Sequence, residues 1–230
     1  MTETQYKFNG QFLNIYLRGE SDISVAAEIF KHREYRRAED AIKKAKHAIV
    51  DVGAHIGLFS LYCRALNPDI RIIAVEPDQD NLTVLRNNFE KNGMSGVEII
   101  AGGMSGATAR RKLAISDDHL NNVILPIGSK ETDLPIVNVF SFKDFCETSK
   151  VTKISLLKLD IEGGEYELLE SIRKSDFTVI DALIFEYHNT GVQNFKSIEM
   201  LLRENGFGVS VYPSKFDKTM GFIFANNKRN

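Results

Sequence analysis

The sequence has few cysteines, no excess of either charge and no long apolar run, and each absence excludes a class of protein. Two cysteines in 230 residues are too few for a disulfide-stapled scaffold or a cysteine-based zinc site. Lysine and arginine number 29 against 31 aspartates and glutamates, which predicts neither nucleic acid nor an anionic membrane as partner. No apolar run approaches the roughly 20 residues needed to span a bilayer. The first residues also lack the basic and apolar parts of a secretory signal, so we expect a cytoplasmic protein.

Short apolar runs alternate with helical patterns through most of the chain. Hydrophobic residues make up 43% of the sequence and charged residues 26%, which is typical of a globular protein. The apolar runs predict strands at 48–53, 71–76, 97–100, 154–161 and 179–186, and the patterns between them predict helices at 58–66, 77–92, 164–173 and 195–205. This alternation predicts an α/β protein with a mainly parallel sheet and helices on both faces.

The remaining segments are less regular. We predict that residues 1–47 form an N-terminal cap, with a strand or hairpin followed by a charged helix over 22–46, and that 48–230 form the main part of a single globular domain. Residues 104–150 predict β-excursions, at 112–115 and 136–140, and a short helix. Residues 207–212 and 219–225 predict a closing antiparallel pair.

Polar or glycine residues follow four of the predicted strands. In an open parallel sheet, ligands bind beyond the carboxyl ends of the strands, near the point where the strand order reverses. The groups expected at this edge are Asp51, Gly53, His55 and Gly57 at the end of the first strand, Glu76 at the end of the second, Asp160 and Glu162 at the end of the fourth, and Glu186 and His188 at the end of the fifth.

The glycine loop and Glu76 together indicate a nucleoside-containing cofactor. Glycine permits a sharp turn and a close backbone approach, and a carboxylate after the next strand can accept both hydroxyls of a ribose. The alternative is that Glu76 only caps the helix beginning at Pro77. The loop spacing is G-x-x-x-G, not the dinucleotide G-x-G-x-x-G, and S-adenosylmethionine (SAM) has no pyrophosphate to clamp. Asp51 also suits a cationic cofactor, so we favour SAM over an NAD(P)-dependent oxidoreductase or a non-catalytic nucleotide binder.

Several motifs resemble the FkbM family of SAM-dependent methyltransferases over residues 22–225. They are residues 51–57, Val75-Glu76-Pro77, the segment from Asn81 to Asn88, Lys158-Leu-Asp-Ile-Glu-Gly-Gly-Glu165, Glu186-Tyr-His188, and a lead-in at Ile29-Phe30 and Glu34-Tyr35-Arg36. His55 stands where the family usually has Asn, Gly164 where it has Ala, and residues 103–106 where it has Ala-Leu-Ser-Asp. The resemblance implies a Rossmann-like class I fold, with a seven-stranded sheet whose last strand is antiparallel. It also implies O-methylation of a hydroxyl on a small molecule or sugar.

Candidate site residues follow from these patterns. Cofactor binding is expected of Asp51, Gly53, Ala54, His55, Gly57, Glu76, Pro77, Asn81, Gly103, Ser105 and Asp160. An alcohol must lose a proton during methyl transfer, and the catalytic candidates are His188, Asp160, Glu162 and Lys158. His188 titrates nearest to neutral pH, although it can equally be a loop histidine bonded to backbone. Lys158 can neutralise the acidic edge. Glu165 is a further candidate base, with the alternative that it only favours the dipole at the start of its helix.

Two further expectations concern metal and acceptor. Asp160, Glu162, Glu186 and His188 are hard ligands suited to Mg²⁺, but no typical ligand spacing is present, so we predict a reaction without metal. The short basic runs 43–46 and 110–112 are interpreted as solvated faces. We expect the acceptor to be selected by the N-terminal segment, residues 104–150 and the loop after His188.

Overall fold

The computed structural model describes residues 1–117, 119–189, 193–215, 217 and 219–228. The strands are β1 (Thr2–Phe8), β2 (Gln11–Leu17), β3 (Ala48–Val52), β4 (Ile72–Glu76), β5 (Glu98–Ala101), β6 (Gly103–Met104), β7 (Ala109–Ala114), β8 (Val123–Ile124), β9 (Ile136–Phe140), β10 (Ile154–Leu159), β11 (Ala182–His188), β12 (Phe207–Pro213) and β13 (Met220–Asn227). The α-helices are α1 (Glu20–Ala26), α2 (Glu39–Lys44), α3 (Leu58–Leu66), α4 (Gln79–Lys91), α5 (Phe142–Thr148), α6 (Glu165–Ser171) and α7 (Phe195–Glu204).

A seven-stranded sheet in the order β12-β13-β11-β10-β3-β4-β5 forms the centre of the molecule. Neighbouring strands from β11 to β5 are parallel, and β13 runs antiparallel to both β11 and β12. The expected mainly parallel sheet with an antiparallel closing pair is therefore confirmed. The strand order reverses between β3 and β10, where an open α/β sheet binds its ligands.

Apolar side chains cover both faces of this sheet. Alternate residues of a strand point to opposite faces, so Ile49 of β3 packs with α3 and the β1–β2 hairpin, whereas Val50 packs against the side that carries α5, α6 and α7. Because both faces are covered, the central strands are continuous apolar runs. None of the described helices is long and apolar enough to cross a bilayer.

The N-terminal helix predicted over 22–46 is wrong as a single element. The chain instead forms α1, a π-helical turn at Ala27–Lys31, a 3₁₀ turn at Glu34–Ala38, and α2. Arg33 lies between these turns in the left-handed region, with a φ of 54°, and an L-residue in that conformation interrupts a right-handed helix. The break turns Glu34 and Tyr35 toward the carboxyl edge of the sheet.

The structure also changes the bounds of the fifth predicted strand and defines the elements of the region 104–150. The fifth predicted strand, 179–186, is displaced, because Asp176–Val179 forms a 3₁₀ turn and β11 begins at Ala182. His188 is therefore the last residue of a strand. The irregular region 104–150 contains a second sheet in the order β6-β9-β7-β8 and the helix α5, as the expected β-excursions and short helix indicate.

Candidate functional site

A pocket of about 330 Å³ opens at the carboxyl ends of β3, β4, β10 and β11. Most of the residues predicted for the site line it, namely Gly53, Ala54, His55, Glu76, Pro77, Asn81, Gly103, Lys158, Asp160 and Glu162. Asp51, Gly57, Ser105 and His188 are predicted site residues that do not line it. The structure thus brings together the four strand ends that the sequence singles out.

Gly53 allows the loops after β3 and β10 to touch. Its φ is +72°, and a Cβ at this position would lie 1.8 Å from the backbone oxygen of Asp160. Only glycine tolerates both the conformation and the approach. Gly57 immediately precedes α3 with a φ of +85°, and a Cβ there would meet the ring of Phe89 at 2.6 Å. The two glycines therefore serve the packing of the loop, with Gly53 also facing the pocket.

Glu76 holds the glycine loop against the start of α4. Its side chain is buried, with 4% exposure. The backbone N–H of His55 donates to Oε2 at 2.9 Å, and the backbone N–H of Asp78 and the Asn81 amide donate to Oε1 at 2.9 and 3.1 Å. Burial raises the pKa of Glu76 despite these donors. The side chain that caps α4 is Asp78, which accepts from the backbone N–H of Asp80.

Asn81 lines the same part of the pocket and has an unused acceptor. Its side chain is 2% exposed, and its Nδ2 donates to Glu76 and to the backbone oxygen of His119. Its Oδ1 has no hydrogen-bond partner among the described residues. A buried acceptor without a donor costs about 1–3 kcal/mol, so a ligand that donates here gains that free energy on binding.

Lys158 forms a buried ionic link between β10 and β3. Its side chain is 3% exposed, and Nζ lies 3.1 Å from Asp51 Oδ1 and 3.5 Å from Asp160 Oδ2. Nζ also donates to the backbone oxygen of Gly53 at 2.7 Å. Burial lowers the pKa of Lys158, but the attraction of Asp51 and Asp160 outweighs it, and the net pKa is raised.

Asp51 is wholly buried and faces its neighbours in the core. Ser60 Oγ donates to Asp51 Oδ2 at 2.8 Å, and Lys158 pairs with the other oxygen. Burial raises the pKa of Asp51, although Lys158 and Ser60 oppose that effect. The structure therefore gives Asp51 a role in fixing Lys158 and the loop.

His55 is held in the glycine loop as a neutral ring. It adopts a φ of 51°, and its Nε2 lies 2.9 Å from Arg18 Nη2. A guanidinium only donates, so Nε2 is the acceptor. Burial lowers the pKa of His55 to about 4, with Arg18 and Lys158 adding to the effect and Asp22 opposing it. Arg18 is fixed by a two-pronged contact with Asp22 at 2.9 and 3.0 Å.

A segment after β7 covers the pocket near Glu76. His119 Nδ1 lies 2.7 Å from Asp78 Oδ2, and the Asn122 amide donates to the same oxygen at 2.9 Å. Both residues line the pocket with Leu120, Asn121 and Ile124. No motif in the sequence indicated this contribution, because it depends on a loop far along the chain from α4.

The N-terminal segment and β13 close the opposite end of the pocket. The residues they contribute are Val25, Glu28, Ile29, Glu34, Tyr35, Met220 and Phe222. The sequence offered a partial signal for this wall in the lead-in segment around Glu34-Tyr35. Nothing in its spacing placed that segment opposite β11.

Carboxyl groups are concentrated at this end. Glu28, Glu34, Asp160, Glu162 and Glu186 all line it. Burial, with repulsion from Glu28 and Asp160, raises the pKa of Glu34 to about 7. Burial, with repulsion from Asp160, Glu34 and Glu162, raises the pKa of Glu186 to about 9. At neutral pH, Glu186 is therefore protonated.

The raised pKa of Glu186 predicts a loss of stability at alkaline pH. The folded protein keeps the Glu186 proton up to about pH 9, whereas the unfolded chain releases it at about pH 4.3. The stability that this proton contributes is complete below the pKa of the unfolded chain and is lost as the pH rises through the pKa of the folded protein. Between pH 7 and 9, the free energy of unfolding should fall by up to about 1.4 kcal/mol per pH unit for each such proton. Glu186→Gln should flatten the slope in urea denaturation, whereas exposed Glu204→Gln should not. Equal slopes in all three proteins would contradict the prediction.

Several candidates lie away from the pocket. His188 pairs with Met220 at the end of β11, and its buried Nδ1 has no hydrogen-bond partner among the described residues. Ser105 is buried and its backbone N–H donates to Phe140 in the second sheet. Glu165 accepts from the backbone N–H groups of Ile161 and Gly163 at 2.8 and 2.9 Å, which shapes the loop after β10. Residues 190–192 of the loop after His188 lie outside the described residues.

The side chains that lie close enough together to bind a metal ion are not the ones that the sequence offered as magnesium ligands. Within the described part of the chain, the group of three ligand-type side chains close enough to share an ion is Asp78, Asp80 and His119. Asp160, Glu162, Glu186 and His188 do not form such a group.

Comparison with known proteins places this geometry in a family. A family model described as the methyltransferase FkbM domain matches residues 51–209. Methyltransferase 1 of Beauveria bassiana is 28% identical over 182 residues, covering 71% of this chain and 73% of the relative. The 31-O-demethyl-FK506 methyltransferase FkbM of Streptomyces tacrolimicus is 24% identical over 213 residues, covering 79% of this chain and 80% of the relative.

Solved structures share the fold at low identity. A methyltransferase FkbM from Methylobacillus flagellatus superposes with a TM-score of 0.55 at 17% identity, covering 78% of this chain, which spans 43% of that protein. A SAM-dependent methyltransferase from Agrobacterium tumefaciens gives a TM-score of 0.54 at 12% identity, covering 99% of this chain and 70% of the other. These likenesses support a class I methyltransferase fold. Since the family model covers more than half of the sequence, the chain is a methyltransferase and belongs to the FkbM methyltransferase domain family.

Proposed function

We propose that this methyltransferase uses SAM to methylate a hydroxyl oxygen of a small molecule or sugar. The observation that carries the proposal is the cradle formed by Gly53, His55, Glu76 and the unused acceptor of Asn81. Glu76 and Asn81 offer acceptors suited to ribose hydroxyls, and the acidic lining suits the positive charge of SAM. The residues present therefore fit this cofactor. When bound, SAM supplies a methyl group on a good leaving group.

Asp160 is the residue best placed to take the acceptor proton. It lines the pocket with a third of its side chain exposed, and Tyr35 Oη donates to it at 3.4 Å. Glu186 is protonated at neutral pH and cannot act as a base. Holding the acceptor oxygen in line with the methyl group supplies much of the catalysis, and Asp160 receives the proton that the oxygen loses.

The charge of the pocket also supports a small acceptor. Carboxylates at the end formed by Glu28, Glu34 and Glu162 would repel the phosphates of a nucleic acid. One relative is named for an O-demethyl substrate, which supports an oxygen acceptor by analogy. The proposal is tested by calorimetry with SAM, S-adenosylhomocysteine (SAH) and NAD(H), followed by a screen of hydroxylated acceptors with mass spectrometry of the products. Binding of NAD(H) without SAM would contradict it.

Replacing Glu76 with glutamine should weaken SAM binding by tenfold or more. The substitution keeps the shape but removes the charge, and charge-assisted hydrogen bonds are worth about 1.5–3 kcal/mol each. One side-chain oxygen would also become an amide that faces backbone N–H groups. The measurement is the Kd for SAM by calorimetry, with the melting temperature as a check on folding.

Glu98→Gln is the matched control for this substitution. Glu98 lies on the neighbouring strand β5 and forms an exposed ion pair with Arg71, which is expected to contribute little. If Glu76→Gln folds and binds SAM as tightly as the control, Glu76 only supports the loop and α4.

A further inference from the structure

The pocket extends beyond the end proposed to hold SAM, and its other end is lined by different types of side chain. One end is lined by Glu76, Asn81 and Gly103, and the other by the N-terminal segment, β11 and β13. A further observation, independent of the acids, marks this pocket as a ligand site: Asn81 lines it, is 2% exposed, and has an Oδ1 without a hydrogen-bond partner among the described residues.

Carboxyl groups outnumber basic side chains in the described part of the pocket lining. Among the described residues that line the pocket, Lys158 is the one lysine or arginine, and it is already bound to Asp51 and to the backbone oxygen of Gly53. His55 is neutral. Arg37, which attracts Glu34, stacks on the ring of Tyr212 at 3.7 Å. Since the pKa of Glu186 is about 9 and that of Glu34 about 7, this end holds protons at neutral pH that a bound cation can displace.

Aromatic rings stand beside these acids. Tyr35, Phe59 and Phe222 all line the pocket. Tyr35 lies edge-on to Phe59 with centroids 4.6 Å apart, and edge-on to Phe222 at 5.8 Å. Aromatic faces attract organic cations, most strongly where water is excluded. Carboxylates and rings in one cavity form a recognition site for an ammonium group.

We propose that the acceptor carries a protonated amine, which binds between Glu34, Glu186 and the rings of Tyr35 and Phe222. This inference rests on the proposed function and narrows its acceptor to amino alcohols, amino sugars among them. The amine is the recognition group and the hydroxyl is the reacting one. The new C–O bond forms as the C–S bond of SAM breaks, the hydroxyl proton passes to Asp160, and SAH leaves.

The crowding of carboxyl groups favours a cationic ligand over the alternatives. Burial and like charges raise the pKa of both Glu34 and Glu186, and a bound ammonium group would lower both pKa values, release the protons and pair with the carboxylates. A carboxylate or phosphate on the acceptor would instead add to the repulsion. Discrimination between acceptors of the same shape thus comes from charge, with a repulsive element against anions.

Calorimetry on the protein saturated with SAH tests this without any turnover. The probes are trans-2-aminocyclohexanol, trans-1,2-cyclohexanediol and 2-hydroxycyclohexanecarboxylate, which share one ring and one hydroxyl and differ in charge. We expect the amine to bind at least tenfold more tightly than the diol and the carboxylate to bind more weakly than both. Glu34→Gln combined with Glu186→Gln should remove the preference for the amine, and exposed Glu204→Gln should leave it unchanged.

The outcomes separate this inference from the proposed function. Equal or undetectable binding of the amine and the diol overturns the ammonium site, as does a preference that survives the double substitution. Failure of the protein to bind SAH would count against the proposed cofactor instead. If the amine probe binds as expected but is methylated on nitrogen, the ammonium site stands and the hydroxyl acceptor is wrong.

Discussion

Lys158→Met should lower the free energy of unfolding by about 3–5 kcal/mol, the usual cost of removing one partner of a buried ion pair. The lysine is 3% exposed and Asp51 is wholly buried, with Nζ 3.1 Å from Asp51 Oδ1. Methionine fills a similar volume but leaves the Asp51 carboxylate without its counter-charge. It also removes the donor to the Gly53 backbone oxygen. Urea denaturation of both proteins at pH 7 measures the difference.

A second substitution distinguishes an unpaired charge from lost packing. In the Lys158→Met protein, adding Asp51→Asn removes the buried negative charge while Ser60 can still donate to the side chain. Most of the lost stability should return in this double variant, because replacing both partners is far less costly than removing one. Exposed Lys174→Met should cost little. If the double variant is no more stable than Lys158→Met, the Coulombic explanation is wrong.

The strands of the sheet were predictable because burial alone determines them. Strands covered on both faces need nearly continuous apolar runs, and the fully buried strands β3, β4 and β10 lie within the runs 48–53, 71–76 and 154–161. Gly53 and Glu76 were also predictable, since Gly53 directly follows β3 and Glu76 is the last residue of β4. Their placement at one edge follows from parallel topology.

The acceptor end of the pocket depends on contacts that the sequence does not encode locally. Glu34 comes from a turn near the start of the chain and Phe222 from β13, and only the folded sheet brings them together. The left-handed conformation of Arg33 has no signature comparable to a glycine. The helical pattern over 22–46 therefore concealed the break that brings Tyr35 to the pocket.

His188 illustrates a different difficulty. It lies two residues beyond Glu186 on the same side of β11, so a motif places both at the site. In the structure, Glu186 pairs with Phe222 and lines the pocket, whereas His188 pairs with Met220 one step further along the strand. Two residues at roughly 3.3 Å each, or about 6.6 Å along the strand, separate Glu186 from His188, and sequence patterns do not resolve such distances.

The identity of the base can be decided by Asp160→Asn. We expect this variant to lower kcat by about 10²-fold or more, the lower range for a lost general base. The asparagine keeps the size of the side chain and its contact with the Tyr35 hydroxyl, but its amide does not take up the acceptor proton. Because the acceptor site is otherwise preserved, KM for the acceptor should change much less than kcat. Steady-state rates over a range of concentrations of the acceptor identified by the product screen give both kcat and KM.

The same assay with His188→Ala tests the alternative base that the sequence favours. Asp160 lines the pocket beside Lys158 Nζ at 3.5 Å, whereas the His188 side chain lies outside its lining. A base must reach the reacting hydroxyl directly or through one water, so the loss of turnover should be at least tenfold greater for Asp160→Asn. Glu162→Gln is the control, because it also removes a carboxylate from the pocket lining but leaves Asp160 in place. A comparable loss of turnover in this variant would mean that the lost charge, and not the lost proton acceptor, slows the reaction. If His188→Ala loses turnover while Asp160→Asn retains it, the proton leaves by way of β11, and the acceptor must reach further along that strand than the pocket lining extends.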